Sequence, residues 1–177
     1  MQKFYCHIKK TRIGKLLRGQ VAAAQRPELP KNIYLFWDNG IEAAPELCRF
    51  CVESWKFHNP GWNVIVLDQH AADEILSRSM FPPEMAAAHY ADLLRTKLLA
   101  EHGGIWADAT CLCVRPLDEW LNMILTQSTF FAFHRPGADR MISSWFLAAK
   151  PDCDISKIWF ENSFAFWRGR KKLQKAY

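Results

Sequence analysis

Residues 91–95 read Ala-Asp-Leu-Leu-Arg, and residues 102–110 read His-Gly-Gly-Ile-Trp-Ala-Asp-Ala-Thr. The first segment predicts a helix that carries Asp92 and Arg95 one turn apart. Two glycines then predict the end of that helix, and the apolar residues after them predict a short strand that ends at Asp108. Because an α/β sheet binds its ligands at the carboxyl ends of its strands, we expect Asp108 to face a ligand beside the Asp92–Arg95 pair.

Apolar runs alternate with helical patterns along the rest of the chain. The continuous apolar run 32–37 lies between Pro30 and the sequence Asp-Asn-Gly at 38–40, which is typical of a buried strand followed by a turn. The other predicted strands cover residues 62–67, 105–107, 111–114, 130–133 and 143–148. The predicted helices run from Pro45 to Asn59 and over residues 71–79, 84–101, 117–125 and 153–170. This alternation predicts an α/β domain with a mostly parallel central sheet flanked by helices.

Length and composition predict one globular domain. The chain has 177 residues, of which half are apolar and 14% are aromatic, so a large core can form. No apolar run reaches the roughly 18 residues of a membrane span, and basic residues interrupt the N-terminus where a signal peptide needs an apolar stretch. We therefore expect a cytoplasmic protein.

Charge divides the chain into a basic N-terminal segment, residues 1–27, and a compact domain, residues 28–177. The segment holds seven Lys and Arg residues and no acid, and five more basic residues follow Glu161. Within the segment, residues 10–21 have an amphipathic pattern that suits a helix on an anionic membrane or one that packs on the domain. The basic ends could equally be solvated. We expect no nucleic-acid partner, since all 18 acidic residues lie between the ends and no nucleic-acid motif is present.

Six cysteines in a cytosol-like chain predict thiols. Cys48 and Cys51 have the spacing of half a zinc site, but no second ligand pair is found in the sequence. Both fall in a predicted helix, and we expect them to be buried as small apolar side chains.

The candidate site residues combine charge with access to a ligand. Arg95 can bind a diphosphate with its planar fork, whereas Asp108 can bind a divalent cation or accept hydrogen bonds from hydroxyl groups. Gly104 permits close approach of the backbone. Trp37 could stack on a nucleotide base or belong to the core. Taken alone, Asp92 and Arg95 would be an ordinary surface ion pair.

The segments 29–40, 91–95 and 103–110, in this order, resemble the capsular-polysaccharide-synthesis type of glycosyltransferase, within the group with a DXD sugar-binding motif. The resemblance covers about residues 29–149. It implies a GT-A-like nucleotide-diphospho-sugar transferase fold and makes residues 28–177 a catalytic domain. It also implies sugar transfer with retention, from a nucleotide-diphosphate donor to a hydroxyl of a polysaccharide or glycolipid, in capsule or surface polysaccharide synthesis.

The resemblance implies roles for individual residues. Trp37 would lie against the nucleotide base, and Asp92 and Arg95 would hold the donor sugar and its phosphates. Gly104 would allow the backbone to approach the donor. Asp108 would be the first Asp of the DXD motif, in contact with ribose or metal.

Two departures from the family pattern leave alternatives open. Thr110 stands where the second Asp of the motif is expected, so Asp108 and Thr110 would be weak ligands for Mn²⁺ or Mg²⁺. Chains of this type also continue well past residue 148, so acceptor-binding elements could be missing. The alternative function is a donor-binding module without activity that associates with anionic membrane through its basic ends, at the inner face of the membrane. His134 and Asp139 could line the acceptor side or be ordinary loop residues.

Overall fold

The computed structural model describes residues 27–168 and Arg170. The predicted amphipathic pattern at 10–21 and nearly all of the basic segment 1–27 therefore lie outside the described residues.

Five strands and five α-helices make up the described chain. The strands are β1 (Asn32–Phe36), β2 (Asn63–Leu67), β3 (Gly104–Ala107), β4 (Phe130–Gly137) and β5 (Arg140–Ala149). The helices are α1 (Glu46–His58), α2 (Gln69–Ile75), α3 (Ala87–Glu101), α4 (Leu121–Leu125) and α5 (Asp154–Trp167). Short 3-10 turns lie at Ile41–Ala43, Arg78–Met80 and Leu117–Glu119. No helix in this part of the chain combines the length and apolar character needed to cross a bilayer.

The strands form one sheet in the order β2-β1-β3-β5-β4. β2, β1 and β3 are parallel, β5 runs antiparallel to β3, and β4 pairs with β5 as an antiparallel hairpin. The predicted α/β fold, with a sheet that is parallel at its centre and flanked by helices, is confirmed. Both hairpin strands are longer than predicted. β4 continues through Pro136, which is tolerated because β4 is an edge strand.

Helices cover both faces of the sheet, and alternate residues of each buried strand point to opposite cores. On one face, Tyr34 of β1 and Trp106 of β3 pack with α2, α3 and α5. On the other face, Ile33 and Ile105 pack with α1 and α4. Burial on both sides explains why these strands read as continuous apolar runs.

Gly103 and Gly104 are required by the connection from α3 to β3. Both have positive φ, +66° and +100°, which a residue with a side chain rarely adopts. A Cβ on Gly103 would lie 2.8 Å from the backbone nitrogen of Pro151, and one on Gly104 would lie 2.9 Å from the carbonyl oxygen of Asn32. The two glycines thereby let β3 enter the sheet between β1 and β5.

The predicted strand at 111–114 is wrong. Its alternating burial is present, with Cys113 buried and Leu112 and Val114 exposed, but the segment is irregular. Side chains of α1 bind its backbone, since the indole of Trp55 donates to the Cys111 carbonyl at 2.9 Å and the Cys113 N–H donates to the Ser54 hydroxyl at 2.8 Å. These contacts replace a strand partner.

Candidate functional site

A cavity of about 250 Å³ opens where β1 and β3 end and α3 crosses them. Its wall is formed by Phe36, Trp37, Asp38, Ala87, Ala88, Ala91, Arg95, Trp106, Asp108, Ala109 and Thr110. The cavity thus lies at the carboxyl ends of two adjacent parallel strands, which is the edge where the sequence predicts a ligand.

Arg95 is the buried cation of this cavity, with 4% of its surface exposed. Its Nη2 atom lies 3.3 Å from Asp108 Oδ1 and 3.2 Å from Asp92 Oδ1. Its Nη1 atom donates to the Ser144 carbonyl oxygen, and its Nε atom donates to the Ala91 carbonyl oxygen at 3.2 Å. These contacts hold the guanidinium in one orientation before any ligand arrives.

Asp108 follows β3 directly and is held from two sides. Its N–H donates to the Trp145 carbonyl oxygen at 2.9 Å, which continues the pairing of β3 with β5. Its Oδ1 atom accepts a hydrogen bond from the Trp106 indole at 2.8 Å as well as the ion pair with Arg95. About a third of the side chain remains exposed, so the carboxylate can reach a ligand.

Trp106 positions both charged groups, and sequence reasoning did not single it out. Its ring lies beneath the guanidinium, with Arg95 Cζ 5.1 Å from the ring centroid, while its N–H binds Asp108. Such stacking stabilises a cation over a π face. In the sequence, a tryptophan inside a short apolar strand looks like a core residue, and it is also buried.

Asp92 lies beside the cavity and is half exposed. The pKa of its carboxyl is raised by burial, against the charges of Arg95 and His89, which lower it, and the nearby charge of Asp108 adds to the rise. A carboxylate that is partly desolvated next to another carboxylate is typical of functional sites.

The end of β1 contributes Trp37 and Asp38. Trp37 is partly buried and lines the cavity, so one part of it is available to a planar ligand. Asp38 lines the same cavity and was not among the predicted site residues. Its position directly after a buried parallel strand is the signal that could have identified it.

Small side chains create the space. Ala87, Ala88 and Ala91 on α3, together with Ala109 after β3, line the cavity where larger residues would fill it. Ala87 and Ala88 belong to the first turn of α3, and within the described chain no side chain caps this turn at Ala86. Free N–H groups and the helix dipole favour an anion at such an end.

Three predicted residues lie away from this cavity. Gly104 is buried at the opposite end of β3 from Asp108, where its conformation serves the entry of the strand. His134 and Asp139 are exposed on the β4–β5 hairpin, and Asp139 forms an ion pair with Arg140 at 2.6 Å.

The donor set for a divalent cation is sparse. Thr110 lies in the turn after Asp108 and lines the cavity with it. Among the described residues, no group of three or more His, Cys, Asp or Glu side chains could hold a metal. Asp108 with Thr110 therefore fits only a cation that takes most of its ligands from water and substrate phosphates, as Mg²⁺ commonly does.

Cys111 follows in the same turn. Burial raises the pKa of its thiol to about 11, and the charge of Asp108 adds to the effect. The thiol is therefore almost entirely neutral near pH 7, and its nucleophilicity is low there.

Comparisons with known proteins show the family and the fold of this chain. The family model described as "Capsular polysaccharide synthesis protein" matches residues 1–177. The chain is 27% identical over 161 residues to a probable glycosyltransferase FCK3 of Fusarium pseudograminearum, covering 81% of this chain and 41% of that protein. It is 28% identical over 166 residues to the O-glycosyltransferase braB of Annulohypoxylon truncatum, covering 81% of this chain and 39% of that protein.

Among solved structures, the PaToxG glycosyltransferase is similar, with a TM-score of 0.52 and 17% identity over 74% of this chain and 59% of that chain. That likeness shows the fold. The chain spans about two fifths of the length of these two curated relatives. The resemblance seen in the three sequence motifs is confirmed, and the chain belongs to the capsular polysaccharide synthesis protein family.

Proposed function

We propose that this chain binds a nucleoside-diphosphate sugar in the cavity between β1, β3 and α3 and transfers the sugar to a hydroxyl group of an acceptor. The observation that carries the proposal is the meeting of Arg95 and Asp108, 3.3 Å apart, in the wall of this cavity. A fixed guanidinium beside an accessible carboxylate suits a ligand with both phosphates and hydroxyl groups.

The cavity offers a partner for each part of such a donor. Trp37 would stack on the base, and Asp108 would accept hydrogen bonds from ribose hydroxyls or contact a cation. Arg95 and the first turn of α3 would receive the diphosphate. Asp92 would lie beside the sugar.

In the transfer step, a bond forms between the acceptor oxygen and the anomeric carbon, and the bond between that carbon and the phosphate oxygen breaks. The leaving diphosphate keeps the electron pair of the broken bond and gains negative charge, and its departing oxygen takes up the proton that the acceptor hydroxyl loses. Because Arg95 is already oriented, it stabilises the developing charge without reorganisation, an effect typically worth about 3–4 kcal/mol for one such group. The Asp92 carboxylate would favour the positive charge that develops on the sugar ring. We propose retention at the anomeric carbon on the basis of the family resemblance.

A divalent cation, Mn²⁺ or Mg²⁺, would be held by Asp108 and Thr110 and would supply further positive charge at the diphosphate. Arg95 would already supply positive charge at the diphosphate from the protein itself. We therefore expect the cation to strengthen donor binding without being indispensable to it.

The test is the release of nucleoside diphosphate from a panel of nucleotide sugars, with and without Mn²⁺. We expect slow hydrolysis of one donor, loss of this activity in Asp108→Ala, and full activity in Asp139→Ala, which removes an exposed carboxylate from the hairpin. Proton NMR of a glycoside product reports whether the anomeric configuration is retained. Equal hydrolysis by wild type and Asp108→Ala would contradict the proposed site.

The alternative is a donor-binding module that associates with anionic membrane. The seven basic residues in the first 27 and the five after Glu161 favour contact with anionic headgroups. Such a module would bind a nucleoside diphosphate without turnover and would sediment with anionic vesicles in a salt-sensitive manner.

A further inference from the structure

A second cavity, of about 240 Å³, lies on the other side of the turn that follows Asp108. We call it the aromatic groove and define it by six of its lining residues, Leu112, Val114, Leu117, Trp120, Phe133 and Trp145. The turn separates the two cavities, since Ala109 and Thr110 line the first and Cys111 lines the second.

The groove presents two stacked aromatic rings to solvent. Phe133 and Trp145 have ring centroids 5.0 Å apart and an interplanar angle of 20°, and they are 39% and 36% exposed. Trp120 and the buried Phe146 pack around Phe133 and hold it in place. Large exposed apolar surfaces of this kind usually mark a binding site.

The groove lies next to the edge of the sheet that carries Asp108 and Arg95. The carbonyl oxygen of Trp145 accepts the hydrogen bond from the Asp108 N–H, and the carbonyl oxygen of its neighbour Ser144 binds Arg95. A molecule that lies on the Trp145 ring therefore sits next to the residues that would hold the donor sugar.

The lining is poor in groups that bind hydroxyls. Among the described residues that line the groove, Arg115 alone carries a charge, and it forms an ion pair with Glu119 at 2.8 Å. A polysaccharide placed there would find few partners for its many hydroxyl groups, which is unfavourable. An apolar ring system or chain would instead cover exposed aromatic surface.

We propose that the aromatic groove binds the body of the acceptor and that this acceptor is an alcohol with an apolar ring system or chain next to its hydroxyl group. The inference rests on the proposed function, because it assigns the second substrate of the same site. The apolar lining of the groove favours such an alcohol as the acceptor over a polysaccharide.

Calorimetric titration of the full chain with 2-naphthol and with maltotriose tests this inference. We expect 2-naphthol to bind and maltotriose not to bind. Trp145→Ala should weaken 2-naphthol binding by about tenfold, since it removes one face of the stack, and Trp145→Phe should recover part of the affinity. Phe166→Ala, which truncates an exposed aromatic side chain on α5, should leave the affinity unchanged.

Binding of the matching nucleoside diphosphate, measured on the same variants, separates the two proposals and shows that each variant is folded. If this nucleotide binds and Trp145→Ala retains it, then unchanged 2-naphthol affinity, absent 2-naphthol binding or binding of maltotriose would overturn the groove assignment alone. If no nucleotide binds to the wild type, the transferase proposal fails, and the acceptor role of the groove falls with it.

Discussion

The two halves of the sheet place different kinds of chemical groups at the same edge. The parallel half, β2, β1 and β3, ends there in charged and polar groups, with Asp38 after β1 and Asp108 after β3. The antiparallel half, β4 and β5, brings the middle of β5 to that edge, where it presents the aromatic ring of Trp145 and the carbonyl oxygens of residues 144 and 145. One sheet thus places a charged cavity beside an apolar groove.

Strand direction explains this difference. Parallel strands end at a common edge, so the polar residues that follow them collect there. An antiparallel neighbour passes through that edge as an intact strand, so β5 contributes the ring of Trp145 and backbone carbonyl groups there instead of a charged strand end. Arg95 joins the two halves, because it contacts Asp108 on one side and Ser144 on the other.

Replacement of Arg95 should have the largest effect, because it removes the contact that joins the halves. Arg95→Ala leaves Asp108 and Asp92 without their cation, and we expect a loss of about 2–4 kcal/mol in the free energy of unfolding. We also expect nucleoside-diphosphate affinity to fall by more than about 100-fold, which is roughly 3 kcal/mol. Urea denaturation and calorimetry measure the two effects.

Arg95→Lys provides the matched variant, because it keeps the charge but loses the planar fork. Its stability and affinity should lie between those of wild type and Arg95→Ala. Wild-type nucleotide affinity in Arg95→Ala would show that the charged half does not bind the diphosphate.

Filling the first cavity should abolish binding without a change of charge. Ala88→Leu adds bulk to an exposed position that lines it, so we expect nucleotide binding to fall below detection while the melting temperature changes little. Ala86→Leu, two residues earlier and outside the lining, is the control. Should both variants bind equally well, the nucleotide lies elsewhere.

Trp106→Phe isolates the positioning role of the indole. The ring beneath Arg95 remains, but the hydrogen bond to Asp108 is lost, and we expect nucleotide affinity to fall by about tenfold. The smaller ring should also cost about 1–2 kcal/mol of stability. Trp62→Phe removes a similar volume and an indole bond to Asp118, yet it should keep nucleotide affinity. An equal loss in both variants would indicate that stability, not positioning, sets the affinity.

The reactivity of the Cys111 thiol should depend on the charge of Asp108, since both residues lie at the turn between the two halves of the sheet. With a pKa of about 11, the thiol ionises above the ordinary range, so the fraction of thiolate at pH 8 is about 0.1%. Alkylation by iodoacetamide, followed at this residue by peptide mass spectrometry, should rise about tenfold per pH unit from 7 to 9. Asp108→Asn removes a negative charge that disfavours the thiolate, and it should speed alkylation. A rate that levels off near pH 9 would contradict this.

Much of the fold was predictable because burial on both faces leaves a plain signal. The apolar run at 32–37 contains β1, and the helical pattern before the glycine pair ends at residue 101, where α3 ends in the structure. The segment 111–114 shows the limit, since its alternation was real but its backbone partners are side chains of α1. Such partners, distant in sequence, cannot be inferred from local pattern.

The position of the candidate site in the fold could be predicted from the sequence better than the set of residues that form it. The sequence predicts that Asp108 and Arg95 meet at the carboxyl edge of the sheet, and the structure has them 3.3 Å apart there, because strand ends and helix spacing are local properties. It does not show that Trp106 holds both of them, nor that Gly104 serves the strand entry at the far end of β3. Those assignments depend on side-chain contacts that only the packed sheet defines.

We propose that Arg95 and Asp108 form one binding site for a nucleoside diphosphate. A calorimetric titration of wild type and Asp108→Ala with UDP, GDP, ADP and CDP in the presence of Mn²⁺ tests it directly. We expect one nucleotide to bind the wild type and none to bind Asp108→Ala. Unchanged affinity in Asp108→Ala would contradict it.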